Sequence, residues 1–299
     1  MRPSKRKVST KVFDEAFDCG KDVSAHLDLR TVKARQPTPF LNLPEELMEN
    51  PTFKSPGQWL SFARYLRSNN RYVLSEEWKE FVKAVQGTAF KRETKIKKGQ
   101  LFYRARIGHR TKTKKGSVRE YQHPLPKKEM SNPPARSISE GRINPAGISY
   151  LYLSDSVTTA ISETKPWIGQ LVSVGICEVK ADLRVVDLRS DVDFLDTCLP
   201  WDNGVSDRQK EDRIWWDIDQ EFAKPTVDSA KTLDYVPTQY LAEVLKNKGY
   251  QGILYRSSLA KDGYNLALYS LDALNIKITK VELYGISGLA YSACKHINY

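Results

Sequence analysis

The stretch "GRINPAGISYLYLSDSVTTAISE", Gly141 to Glu163, sets one arginine, two tyrosines and one terminal carboxylate along a short path. Arg142 lies in a turn, Tyr150 and Tyr152 fall two apart in an extended run, and Glu163 closes a segment rich in small hydroxyl residues. A guanidinium fork matches phosphate oxygens, a tyrosine ring offers a flat amphipathic face, and a carboxylate accepts from hydroxyls. Such a set reads in two ways: the strand, turn and helix of an ordinary core, or a pocket for a nucleotide. Two further places carry similar chemistry. In "LFYRARIG", Arg104 and Arg106 share one strand face, because residues two apart point the same way. In "YQGILYRSS", Ser257 and Ser258 end a strand, where a hydroxyl either meets a ligand or caps the following turn.

The elements that must position these residues read as an α+β fold. After a Pro-rich "ARQPTPFLNLPEEL", the run "SPGQWLSFARYLRSNN" places Trp59, Leu60, Phe62, Ala63 and Leu66 at roughly helical spacing. "SEEWKEFVKAVQG" reads as a second helix, with Ser75 as N-cap and Gly87 as its stop. A strand in "GQLFYRARIG" is followed by a polar, Pro-rich basic segment at about 108–140, expected to be a long loop. Then come a strand in "ISYLYLS", a helix in "SVTTAISETK", and strands in "QLVSVGICEV" and "LRVVDLR". Helices in "DRIWWDIDQEFAKP" and "VPTQYLAEVLKNKG", the latter closed by Gly249, precede strands in "YQGILYRSS", "YNLALYSL" and "IKITKVELYGI". No regular βα repeat, GxGxxG or GxxxxGKS occurs, which excludes Rossmann and P-loop folds. The expected organisation is a basic, mainly helical module over residues 1–95 and one α+β domain over 96–299, with a largely antiparallel or split sheet.

Composition narrows the class. Hydrophobic content of 40% in 299 residues supports a folded chain with a real core. Four cysteines without a CxxC pair argue for reduced thiols, and four histidines without HExxH argue against a protein-held metal. The basic start lacks the apolar core of a signal peptide and no run spans a membrane, so a cytoplasmic protein is expected. The net charge of +11 is uneven: residues 1–140 hold 30 Lys+Arg against 15 Asp+Glu, and residues 141–299 hold 17 against 21. That asymmetry fits either an anionic partner for the first half or a solvated basic surface.

Taken in order, "LFYRARIG", "GRINPAGISYLYLSDSVTTAISE" and "QGILYRSSLAKDGYNLALY" resemble the signature segments of the RES-domain family, named for an Arg, a Glu and a Ser. The resemblance spans about Gly99 to Tyr269. It implies a fold similar to the ADP-ribosyltransferase toxins: a split antiparallel sheet with flanking helices, binding NAD as substrate in its cleft. It also implies cleavage of the nicotinamide–ribose bond by hydrolysis or phosphorolysis, a toxin's role in growth arrest or phage defence, and a separately encoded antitoxin or immunity partner. Carried over by position, Arg104 is the arginine and faces the pyrophosphate; Tyr152 is the strand tyrosine, with Tyr150 competing. Glu163 is the carboxylate that steadies an oxocarbenium-like ribose, and the serine is Ser257, with Ser258 still open. Arg142 could reach a phosphate, and Asn144 belongs to the turn with Gly147; here Ile143 replaces the usual aromatic and Ala146 the second Pro.

Two other readings stand beside this one. Mono-ADP-ribosylation of a protein or nucleic acid would use the same residues. A non-catalytic, basic nucleic-acid-binding module would use the basic N-terminal half, with Trp59, Tyr65 and Tyr121 interspersed, although no RRM, zinc-finger or helix-turn-helix signature occurs. Gln239 reads as a polar position opening a helix. His109 and His123 lack a Ser or Cys partner, which argues against a Ser–His–Asp hydrolase.

Overall fold

Runs rich in Val, Ile, Leu and Tyr form the central strands here because both faces of the sheet are covered, as the almost fully buried strands Gly252–Arg256 and Tyr264–Leu268 show. In the computed structural model the strands are, in chain order, β1 (Glu93–Ile96), β2 (Leu101–Ile107), β3 (Arg110–Thr113), β4 (Glu120–His123), β5 (Leu151–Ser154), β6 (Leu171–Val179), β7 (Leu183–Asp187), β8 (Gly252–Arg256), β9 (Tyr264–Leu268) and β10 (Ile276–Gly285). The helices are α1 (Gln58–Ser68), α2 (Glu76–Thr88), α3 (Lys127–Met130), α4 (Val157–Glu163), α5 (Asp207–Ala223) and α6 (Val236–Asn247). The structure describes residues 52–69, 71–113, 119–131, 136, 138–192, 204–224, 232–269 and 275–289, all within one unit, Met48–Tyr299. The Pro-rich stretch near residue 40 and the start of the expected N-terminal module lie outside the described residues.

Eight strands form one sheet in the order β1-β7-β8-β9-β5-β2-β6-β10, and β3 with β4 forms a separate ribbon. Neighbours run antiparallel except β7 and β8, which are parallel. The sheet is nearly divided. β2 pairs with β6 along its whole length, from Leu101↔Glu178 to Ile107↔Val172, yet meets β5 through the single pair Tyr103↔Ser154. The expected split is therefore a seam inside one continuous sheet.

Each face has its own core. On one, Trp59, Phe62 and Leu66 of α1 and Phe81 of α2 pack with Trp215 of α5, Leu241 of α6 and sheet residues Ile253 and Ala267. The spacing of Trp59, Phe62, Ala63 and Leu66 gives α1 one apolar stripe, and the Phe62 ring sits 4.9 Å from that of Phe81. Burying Trp215 leaves its indole N–H in need of an acceptor, which Thr88 Oγ1 provides at 3.1 Å. On the other face, Phe102, Leu153, Val185, Leu254 and Leu266 form the second core. The alternation is visible in β5 and the residue before it: Leu151 and Leu153 join this face, while Tyr150 and Tyr152 pack with the first.

Several local expectations meet a different geometry. Ser75 occupies the N-cap of α2 without a side-chain capping bond, and α2 runs through Gly87 to Thr88, whose hydroxyl donates back to Ala84 O at 2.9 Å. Within the expected loop at 108–140, the β3–β4 ribbon and the short α3 form, and Met130 of α3 is fully buried. Among the described residues no helix is long and apolar enough to cross a membrane.

Candidate active site

The seam between β2 and β5 is where the chemistry-bearing side chains gather. Where further ladder bonds would join the strands, Arg104 of β2 reaches over instead, and its Nη1 donates to the Tyr152 carbonyl at 3.0 Å. Its buried Nε has no hydrogen-bond partner among the described residues. Burial first, and then the neighbouring Arg106 guanidinium, pull Arg104 down to about 10 from 12.5, so it remains a cation at neutral pH.

Tyr152 points into the turn that precedes its strand. Its hydroxyl donates to Asn144 Oδ1 at 2.7 Å and accepts from the Ile143 amide at 3.3 Å. Burial raises the phenol above its ordinary range and keeps it a donor. Asn144 is buried, and its Nδ2 donates to Ser139 O and Pro145 O at 3.1 and 3.0 Å, so its amide is spent on the turn and on Tyr152. Gly141 must lack a side chain: a Cβ there would lie 2.6 Å from Asn144 Oδ1 and 3.0 Å from the Tyr152 hydroxyl. Gln239, near the start of α6, pins this turn by donating to Gly141 O at 2.8 Å and Asn144 O at 3.1 Å. The neighbouring Thr238 hydroxyl donates to the Arg142 carbonyl. Arg142 itself donates to the Phe222 carbonyl near the end of α5, and its guanidinium lies 5.9 Å from the centre of the Tyr255 ring.

The carboxylate stands on the other wall. Ser156 starts α4 by accepting from the Thr159 amide at 3.1 Å, and Glu163 is the last residue of that helix. Glu163 Oε1 accepts from Ser257 Oγ and from Asn265 Nδ2, each at 2.7 Å. Asn265, buried in β9, accepts in turn from Ser154 Oγ at 2.7 Å. Among the described residues Glu163 Oε2 has no hydrogen-bond donor and Glu163 forms no ion pair. The Ser257 oxygen also accepts from the amides of Leu259 and Ala260, both at 3.2 Å, and so caps the turn after β8. Ser258 reaches the cavity wall, whereas Ser257 meets the site through Glu163.

A cavity of about 390 Å³ lies between these walls, with Arg104, Arg142 and Tyr152 on one side and Glu163, Ser258 and Asn265 on the other. A second cavity of about 260 Å³ adjoins it, sharing Arg104, Gly141 and Tyr152. Asn144 and Tyr150 line only the second cavity; Gln239, His109 and His123 line neither. Asn265, Ser154 and Tyr255 were not singled out in the sequence. An asparagine between Tyr264 and Leu266, inside a strand where asparagine is disfavoured, was the signal available. The arrangement offers a fixed carboxylate opposite a buried guanidinium, which suits a ligand that carries both anionic charge and a hydroxyl-bearing centre where positive charge develops.

Comparison with known proteins adds three findings. A family model described as the RES domain matches residues 109–285, more than half of the chain, and Arg104 lies just ahead of that span. The fold is similar to that of a chain in the crystal structure of the M. tuberculosis MbcT-MbcA toxin-antitoxin complex, at 15% identity and a TM-score of 0.37, covering 67% of this chain and 92% of that one. No curated protein matches by sequence.

Proposed function

The chain belongs to the RES domain family, and from that premise we propose that it is a toxin-like enzyme that cleaves the nicotinamide–ribose bond of NAD. The observation that carries this reading is the Glu163 carboxylate, fixed through Oε1 by Ser257 and Asn265, in the cavity that Arg104 also lines. When the bond from the ribose C1′ to the nicotinamide nitrogen breaks, its electron pair leaves with nicotinamide, and the ribose gains positive charge shared with its ring oxygen. A carboxylate that is already oriented stabilises that charge and holds a ribose hydroxyl without reorganising during the reaction. Arg104, a cation without a carboxylate partner among the described residues, serves the pyrophosphate, and the Arg142 guanidinium stands on the same wall. Water or inorganic phosphate then closes C1′, giving hydrolysis or phosphorolysis.

The test is release of free nicotinamide from NAD by the purified chain. Glu163→Gln keeps the shape and removes the charge, and is expected to lower kcat by about a hundredfold or more. Wild type without nicotinamide release, or a Glu163→Gln variant as active as wild type, sinks the reading. Label carried on adenosine separates acceptors: label in ADP-ribose means water, in a phosphorylated ADP-ribose means phosphate, and on a macromolecule means transfer. A separately encoded neutralising protein is part of this reading, because unchecked loss of NAD would arrest the cell that makes the enzyme.

A further inference from the structure

Helix α5 turns one face into the core with Trp215, Ile218 and Phe222 fully buried, and among them it places a carboxylate, Asp219, that is 1% exposed. A buried carboxylate is costly, and packing alone would favour an apolar side chain there, so what it binds matters. Asp219 Oδ2 accepts from Arg256 Nε and from the Ser190 amide, both at 3.0 Å, and Arg256 Nη2 donates to the Ser190 carbonyl. The same nitrogen reaches the fully exposed Asp191 at 3.3 Å, a contact that water screens. Among the described residues Asp219 Oδ1 has no hydrogen-bond partner. Carboxylate, guanidinium and one loop residue thus close a ring across the ends of β7 and β8.

That ring lies where backbone pairing gives out. The parallel ladder of β7 and β8 ends at Asp187↔Leu254, with one more bond from the Leu188 amide to the Leu254 carbonyl at 2.9 Å. Beyond it, among the described residues, the backbone of β8 is held from the β9 side, by Arg256↔Tyr264 and by the Ser257 amide on the Gly263 carbonyl. Neither Asp219 nor Arg256 lines a cavity described above, but Arg256 stands between Tyr255, on the cavity wall, and Ser257, whose hydroxyl donates to Glu163 at 2.7 Å. A strand end tied on one side can pivot about that side, and a second tie from the other side fixes where its next side chain points. A shift of about 1 Å would take the Ser257 hydroxyl out of hydrogen-bond range of the carboxylate.

We propose that Asp219 and Arg256 are positioning residues for the Glu163 carboxylate, acting through Ser257. The ring they close with Ser190 sets the end of β8, and the end of β8 sets the hydroxyl that orients the carboxylate. The proposal rests on the NAD reading above for the chemistry that Glu163 performs.

Hydrogen exchange and steady-state kinetics on the full chain test it. The Leu259 and Ala260 amides donate to Ser257 Oγ, so their exchange reports where that oxygen stands. Arg256→Met keeps linear bulk without donors, and the double variant Asp219→Asn with Arg256→Met also removes the charge that the single variant leaves buried and unpaired, which preserves the fold. In both variants exchange at these two amides should speed up about tenfold or more, while in the double variant the amides of β6 and α6 exchange as in wild type. Nicotinamide release should fall about tenfold in kcat with KM little changed. Unchanged exchange at both amides in both variants overturns the proposal. So does faster exchange throughout the sheet of the double variant, which marks a purely structural pair, or local loosening with full kcat. Faster exchange confined to the two amides, in a protein whose wild type releases no nicotinamide, supports the positioning of Ser257 and removes the cleavage reading instead.

Discussion

Glu163 is set by a chain of amide and hydroxyl groups, Ser154 to Asn265 to Glu163, with Ser257 closing on the same carboxylate oxygen. Asn265 acts through Glu163, so its removal should loosen orientation more than binding: Asn265→Ala is expected to lower kcat about tenfold to a hundredfold with little change in KM. Asn265→Asp would bring a second carboxyl within reach of the first. Like charges so close hold a proton between them, so the kcat–pH profile of Asn265→Asp gains an ionisation above the ordinary carboxylate range that wild type lacks. A purely structural Asn265 would leave that profile unmoved. Arg104 gives a prediction at higher pH. Its guanidinium is drawn down to about 10 by burial and Arg106, and only the charged form holds an anion. ADP affinity measured by calorimetry should stay level up to about pH 9 and fall as pH rises past about 10. At this scale the sequence revealed the charged groups, because Arg and Glu in a marked order stand out. It hid Asn265, because an amide gains meaning only from the two side chains that meet it from distant parts of the chain.

The turn at Gly141–Gly147 shows how elements set the site. It was legible as a turn from Asn-Pro and Gly, and its polar side chains serve that turn: Asn144 is saturated by backbone carbonyls and the Tyr152 hydroxyl. What fixes the turn comes from nearly a hundred residues away, in Gln239 and Thr238 of α6. The α6 helix carries its apolar residues Leu241, Ala242 and Leu245 into the core, so the same element that stabilises the fold holds the turn beneath Tyr152. Gln239→Leu keeps the bulk and deletes both donations, taking this donor from the Gly141 carbonyl and leaving the Asn144 carbonyl with the Gly141 amide alone. Urea unfolding should then show a loss of about 1–3 kcal/mol, with a lower rate of nicotinamide release because Tyr152 and Arg104 lose their fixed backing. Helix α2 teaches a related lesson. Gly87 reads as a stop, yet the helix continues because Thr88 must stand where it can accept from buried Trp215.

For the molecule as a whole, charge and core follow different rules. Among the described residues of the first half, Lys54, Lys79, Lys91 and Lys97 hold their ammonium groups at the surface in exposed ion pairs, outside the core. The apolar faces of α1 and α2 pack into one cluster with α5, α6 and the sheet, a contact that no local periodicity announces. Phe62 lies at its centre, with ring contacts to Trp59, Trp78, Phe81 and Tyr240. Phe62→Ala should therefore cost about 3–5 kcal/mol in urea unfolding and lower the denaturation midpoint of the entire unit in one transition. Helices and strands could be read from patterning, whereas strand order could not, because register follows from contacts between distant segments. The joint between β2 and β5, one residue pair long, has a mechanical consequence. Two leaves joined by one ladder pair depend on what else crosses between them, here the Arg104 guanidinium on the Tyr152 carbonyl, and a molecule lodged in the gap would add further stitching. Occupancy and rigidity then rise together, so whatever fills the gap also firms up the protein around it.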